Sequence, residues 1–179
     1  MKSKTMQITL GGLLSALAVI VLVGGSALGI ATYIAPAVAG LFVYPLALEF
    51  GQKPAYIAFG TISVMGAILA PDKELALVFV FFFGYYPVLK KTLEKIKPKV
   101  LSYIVKFVVF NVAIIALYIV LLNIIALPNV VQEFQERSST YTLILLGVGN
   151  VTFIMYDYLL TIFYLIYTKK IRKRISGGK

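Results

Sequence analysis

The chain has 179 residues, of which 60% are hydrophobic and only 13% are charged, and its mean hydropathy is +0.94. Because an ordinary soluble domain carries about 25% charged residues, this composition predicts an integral membrane protein. The chain contains no Cys and no His. Disulfides, thiolate or imidazole metal sites and catalysis by a His base or a Cys–His pair are therefore excluded within it.

Charged residues divide the chain into apolar segments that are long enough to cross a hydrocarbon core of ~30 Å. The first uncharged run, from Thr5 to Leu48, is long enough for two crossings. The fourth segment is the shortest, and it requires Lys90 and Lys91 to extend their side chains to the membrane surface. The predicted helices span residues 6–28, 31–49, 54–70, 75–90, 100–127 and 139–168, followed by a basic tail at 169–179. We therefore predict one all-α membrane domain over residues 1–179, a compact bundle of six transmembrane helices.

The distribution of positive charge predicts the orientation of this bundle. With six helices, 15 of the 17 Lys and Arg residues fall on one side of the membrane, and only Lys73 and Arg137 fall on the other. By the positive-inside rule, both termini are then cytoplasmic. The net charge of +10 is thus explained by topology and by contact with anionic lipid of the bilayer. It requires no nucleic acid partner.

Small residues on the first predicted helix allow close approach of another helix. Gly12 and Ala16 are four residues apart, and Gly11 and Ser15 form a parallel pair. Helices in lipid associate by van der Waals packing at such small residues. Two interpretations follow: the residues pack against other helices of this chain, or they form a docking face for another membrane subunit.

Polar residues on the sixth predicted helix form a stripe inside an apolar segment. Asn150 and Asp157 are seven residues apart and therefore share a helix face. A carboxylate at the centre of a span costs at least ~2.5–3.5 kcal/mol, so Asp157 is expected to face protein or water. It is either a functional group or a buried acid that bonds to Tyr or Asn side chains or pairs with Lys106.

The fifth predicted helix offers matching polar residues. Asn111 and Tyr118 share one face, and Asn123 lies off that stripe but nearer the exterior. The predicted substrate-binding residues are Asn111, Tyr118, Asn123, Asn150 and Asp157, with the loop residues Asp72 and Lys73 as weaker candidates. Amides and tyrosines with little charge suit an uncharged or zwitterionic aromatic or heterocyclic compound. The aromatic run at residues 81–86 indicates either a ligand-stacking surface or an aromatic belt at the membrane interface.

These residues give little indication that the protein is an enzyme. Hydrolysis within a membrane needs a nucleophile and base or two paired carboxylates, and Asp157 is the one deep carboxylate. The sequence carries no metal-binding cluster, nucleotide-binding loop or dinucleotide fingerprint. We therefore predict no catalytic residues, no metal and no cofactor.

The first residues of the chain combine a basic start with a motif of small residues. After a short basic start, residues 7–18 carry a small-xxx-small motif at Gly12 and Ala16. This segment, together with the size, the six spans and the cytoplasmic termini, resembles the substrate-binding S components of energy-coupling factor transporters, in which the motif is usually Ala-xxx-Ala. The resemblance implies capture of a vitamin-like small molecule from outside, in the exterior half of the bundle. It also implies docking through Gly11, Gly12, Ser15 and Ala16 on a transmembrane coupling subunit driven by two ATPase subunits, in the cell membrane of a prokaryote.

Two other functions remain open at this point. A secondary carrier would use Asp157 as a proton-coupled site and would work without ATPases. A scaffold or assembly protein would use the same small-residue faces for partner helices and would bind no small molecule.

Overall fold

The computed structural model describes residues 4–28, 33–125 and 139–171, and the regular structure in these ranges is entirely helical. The predicted all-α class is therefore confirmed for the described chain. The six helices are α1 (Lys4–Leu28), α2 (Ile34–Glu49), α3 (Gln52–Leu69), α4 (Lys73–Leu93), α5 (Lys99–Ile119) and α6 (Ser139–Ile166). The predicted tail beyond residue 171 and the end of the predicted fifth helix at 126–127 lie outside the described residues.

Three of these helices contain or end in a wider π-helical turn. In α4, the π turn Phe79–Phe83 separates an α-helical start, Lys73–Val78, from an α-helical end, Tyr86–Leu93. The helix α5 continues as a π turn at Val120–Ile125, and α6 continues as one at Tyr167–Ile171.

Among the described residues, four helical segments are long and apolar enough to cross a membrane. They are Lys4–Leu28, Lys73–Leu93, Lys99–Asn123 and Leu143–Lys170. The helix α2 is apolar but shorter, and α3 begins with the polar residues Gln52 and Lys53. The structure is thus compatible with a helical membrane protein, while the six-span topology with cytoplasmic termini stays a prediction.

The chain divides into two compact units, Met1–Glu133 and Phe134–Lys179. The first unit contains α1 to α5, and the second contains α6. The prediction of a single membrane domain is neither confirmed nor contradicted by this division.

In the first unit, the second half of α1 packs closely on α3. All three buried residues of α1, namely Ala18, Leu22 and Ser26, lie in that half. A Cβ atom placed on Gly66 of α3 would lie 3.2 Å from Cδ1 of Leu22, so the two helices are in tight contact there. The Ser26 hydroxyl accepts a hydrogen bond of 2.6 Å from the backbone N–H of Asp72. The first half of α1, in contrast, contains no buried residue.

An aromatic core fills the space around the π turn of α4. Phe82 stacks on Tyr86 with ring centroids 4.8 Å apart and meets the edge of Phe110 at 4.9 Å. Phe82 and Tyr86 are both fully buried. These two rings of the predicted aromatic run therefore pack the protein interior; they form neither a ligand-stacking surface nor an exposed belt.

Candidate docking groove and the predicted polar site

The helices α1 and α3 leave an open groove of about 730 Å³ between them. On the α1 side the groove is lined by all four predicted docking residues, Gly11, Gly12, Ser15 and Ala16. On the α3 side it is lined by Pro54, Ile57, Ala58, Thr61 and Met65. The buried residues of α1 all lie in its second half, whereas the groove is lined mainly by the first half of the helix.

The glycines of the groove are not used for packing within the described chain. A Cβ atom placed on Gly11 or Gly12 would meet no atom within 4 Å outside its own helix. At Gly66, where α3 does pack closely on α1, a Cβ atom would meet Leu22 at 3.2 Å. Internal packing among the described residues therefore does not account for Gly11 and Gly12. This observation favours the docking interpretation, which itself stays a prediction.

The surface of the groove is suited to an apolar occupant. Its rim carries the exposed side chains of Ile8, Ile20 and Ile57, which are 73%, 65% and 71% accessible. The hydroxyl of Thr61 donates to the backbone oxygen of Ile57 at 3.0 Å, so its polar group is already satisfied within α3. Small residues flanked by branched apolar residues allow helices to associate closely in lipid.

The two helices that line most of the groove, α1 and α3, carry only positive charge. The helices α1 and α3 contain no Asp or Glu, and each begins with a lysine, Lys4 in α1 and Lys53 in α3. Both lysines are exposed. The starts of α1 and α3 are therefore positive, and most residues that line the groove beyond them are apolar.

The predicted substrate-binding residues of the first unit lie on or just beyond α5. Asn111 and Tyr118 are half-buried, and Asn123 is exposed in the π turn that follows the helix. The side-chain amides of Asn111 and Asn123 donate to the backbone oxygens four residues earlier, at 2.9 and 3.0 Å. Each amide donor is thus held against its own helix.

The other two predicted substrate-binding residues lie on α6, in the second unit. The amide of Asn150 donates to the backbone oxygen of Leu146 at 2.8 Å. The backbone oxygen of Asp157 accepts from the Thr161 hydroxyl at 3.0 Å. The role of these residues in substrate binding stays a prediction.

The two weaker candidates are helix caps. The Asp72 carboxylate accepts from the backbone N–H of Leu75 at 3.2 Å and so caps the start of α4. The Lys73 ammonium donates to the backbone oxygens of Ala67 and Ala70, both at 2.9 Å, and so caps the end of α3. These bonds give both residues a structural role in joining α3 to α4.

Two buried lysines share a partly exposed carboxylate between α4 and α5, and the sequence did not predict this cluster. The carboxylate oxygen Oε1 of Glu94 lies 3.0 Å from the Lys90 ammonium and 3.6 Å from the Lys106 ammonium. Lys90 is 1% exposed and Lys106 is 3% exposed, so the expectation that Lys90 extends to the surface is wrong. The spacing of Lys90 and Glu94, four residues apart on one helix, was the available signal.

In the ranges that the structure describes, no group of three or more His, Cys, Asp or Glu residues could hold a metal ion. Comparison of the chain with models of known families, with curated proteins and with solved structures finds no match.

Proposed function

We propose that this chain is the substrate-capture subunit of an ATP-driven micronutrient importer. It binds a small vitamin-like molecule from outside the cell and docks on a transmembrane coupling subunit through the groove between α1 and α3. Two separate ATPase subunits supply the energy, and the assembly lies in a prokaryotic cell membrane. The observation that carries the proposal is the open groove at Gly11 and Gly12, which agrees with the resemblance of this segment to energy-coupling factor S components.

The length of the groove fits a partner helix. Along α1 the lining residues run from Gln7 to Ile20, which at about 1.5 Å per residue corresponds to roughly 20 Å. A partner helix of nearly four turns can lie along such a groove. Glycine at two adjacent positions lets the partner backbone approach closely, and the exposed isoleucines of the rim then contact its flanks.

The docking step is tested by a matched pair of substitutions on α1. Gly12→Leu fills the groove, whereas Gly24→Leu adds the same side chain to an exposed glycine of the same helix outside the groove. A Cβ atom at either position meets nothing within 4 Å, so both variants are expected to fold. The tagged chain is purified in mild detergent from its native membrane, and ATP hydrolysis by the eluate is measured.

The proposal expects ATP hydrolysis with the wild type and with Gly24→Leu, and its loss with Gly12→Leu. If the wild-type eluate hydrolyses no ATP, the importer assignment is wrong. If Gly12→Leu retains the activity, the coupling subunit docks elsewhere. A photoreactive residue placed at position 12 and at position 24 gives a second readout, since a cross-link to the coupling subunit is expected only from position 12.

Uptake and binding assays distinguish the proposed function from the two alternatives, a secondary carrier and a scaffold protein. A secondary carrier using Asp157 would take up substrate in vesicles on a proton gradient alone, without ATPases. A scaffold protein would retain no small molecule after gentle purification. The predicted substrate residues Asn111, Tyr118, Asn123, Asn150 and Asp157 are tested in the same binding assay, by substituting each one with Ala.

A further inference from the structure

The connection between α4 and α5 is strongly basic. Residues 90–106 contain six lysines and a single acid, Glu94. Three of the lysines point inward: Lys90 and Lys106 are buried, and the half-buried Lys91 donates to the backbone oxygen of Ala47 at 3.2 Å. The other three, Lys95, Lys97 and Lys99, are exposed. We call the segment Lys95–Lys99 the basic turn.

Glu94, the one acid of this region, forms ion pairs with the two buried lysines. Oxygen Oε1 of Glu94 lies 3.0 Å from the Lys90 ammonium and 3.6 Å from the Lys106 ammonium. Within the described ranges, no ion pair joins a lysine of the basic turn to a carboxylate. Among the described residues, no carboxylate therefore compensates these three exposed ammonium groups, which make the turn positive.

Hydrogen bonds hold the backbone next to the basic turn. The hydroxyl of Ser102, which is 6% exposed, donates to the backbone oxygen of Leu93 at 2.7 Å and so fastens the start of α5 to the end of α4. The backbone N–H groups of Lys95 and Ile96 donate to the oxygens of Thr92 and Leu93, both at 3.1 Å. These bonds hold the backbone near the lysines in place. Less conformational entropy is therefore lost when the lysine side chains bind an anion.

The position of the basic turn relative to the apolar surface matches that of lipid phosphates. The apolar surface of α5 begins one residue after Lys99, with Val100, Tyr103 and Ile104 exposed by 68%, 57% and 54%. In a membrane helix these side chains face lipid. The basic turn then lies where hydrocarbon meets water, which is the level of the headgroups.

We propose that the basic turn binds the phosphate headgroup of an anionic phospholipid whose acyl chains lie against the exposed apolar face of α5. The proposal is independent of the transport function and of the groove. Each lysine near an anionic lipid surface raises the affinity of the protein for that surface roughly fivefold. Three lysines therefore give a preference of roughly 100-fold for anionic over zwitterionic lipid. The preference falls as salt rises, because the lysines are exposed.

The test measures lipid binding to the purified, delipidated full chain in detergent by native mass spectrometry. Phosphatidylglycerol and phosphatidylcholine with the same acyl chains are titrated separately. The variant K95Q/K97Q/K99Q removes the charge of the basic turn, and the charge-matched control K169Q/K170Q/K173Q removes three lysines from the C-terminal segment. The conservative variant K95R/K97R/K99R keeps the charge, and circular dichroism checks that each variant retains the helical content of the wild type.

The proposal expects a phosphatidylglycerol preference in the wild type, in the arginine variant and in the C-terminal control, and its loss in K95Q/K97Q/K99Q. An equal loss in the C-terminal control would show diffuse attraction by net charge and would overturn the proposal. A wild type that binds both lipids equally would also overturn it. So would displacement of phosphatidylglycerol by an equal concentration of glycerol phosphate, because the site would then recognise a soluble phosphate.

Discussion

Gly84 lies at a tightly packed position, between the rings of Phe59 and Phe79. A Cβ atom placed there would lie 2.6 Å from Cδ2 of Phe59 and 2.7 Å from Cε1 of Phe79. Ordinary contacts of a Cβ atom begin at about 3.4 Å, so Gly84→Ala requires the rings to move by nearly 1 Å. Phe79 is fully buried against its neighbours and cannot move freely. Overpacking of this kind costs about 1–3 kcal/mol.

Gly24→Ala is the matched control, because a Cβ atom there meets nothing within 4 Å. In a helix, Gly→Ala at such an open position is expected to stabilise by about 0.5–1 kcal/mol. Unfolding of the purified protein is followed by circular dichroism during titration with sodium dodecyl sulfate in mixed micelles. The Gly84→Ala transition is expected at a lower denaturant fraction than that of the wild type, and the Gly24→Ala transition at an equal or higher one.

A double-mutant cycle isolates the contact itself. Phe59→Ala removes one of the two rings, so Gly84→Ala is expected to cost less in that background than in the wild type. If Gly84→Ala unfolds at the same denaturant fraction as Gly24→Ala, the close approach of Phe59 and Phe79 to Gly84 is refuted.

The other predictions use the same purified protein. Glu94→Gln is expected to destabilise it by about 1 kcal/mol, because the buried Lys90 and Lys106 ammonium groups lose a partly exposed carboxylate; Lys95→Gln, outside that cluster, is expected to change the unfolding transition little. Lys73→Met is expected to cost about 1 kcal/mol by removing the cap at the end of α3, and an unchanged unfolding transition would contradict that role. Asp157→Asn is expected to leave helical content and size-exclusion behaviour unchanged while impairing substrate uptake; full uptake would indicate a structural acid.

The helical class and the approximate positions of the helices could be predicted from the sequence, because they follow from the apolar segments and the charges between them. The six helices found among the described residues correspond to the six predicted apolar segments, including a short α2 and an α4 interrupted by its π turn. The π turn at Phe79–Phe83 was not predictable, since it depends on how the aromatic side chains pack against other helices. Composition alone records only that the segment is apolar.

The roles of individual residues depended on tertiary contacts that spacing does not reveal. Gly12 and Gly84 are the same residue type in apolar helices, yet one borders an open groove and the other lies against two rings. Lys90 was expected at the membrane surface, whereas the fold buries it beside Glu94. The approach of Lys106 to the same carboxylate requires the turn between α4 and α5, which sequence spacing does not specify.

The most direct test of the proposed function is native mass spectrometry of the tagged chain, purified gently from its own membrane after growth in rich medium. The account predicts a complex that contains this chain, a coupling subunit and two ATPase subunits. It also predicts that the chain released from the complex carries a compound of vitamin-like mass. A chain that emerges alone and without a bound compound would contradict the assignment as a substrate-capture subunit.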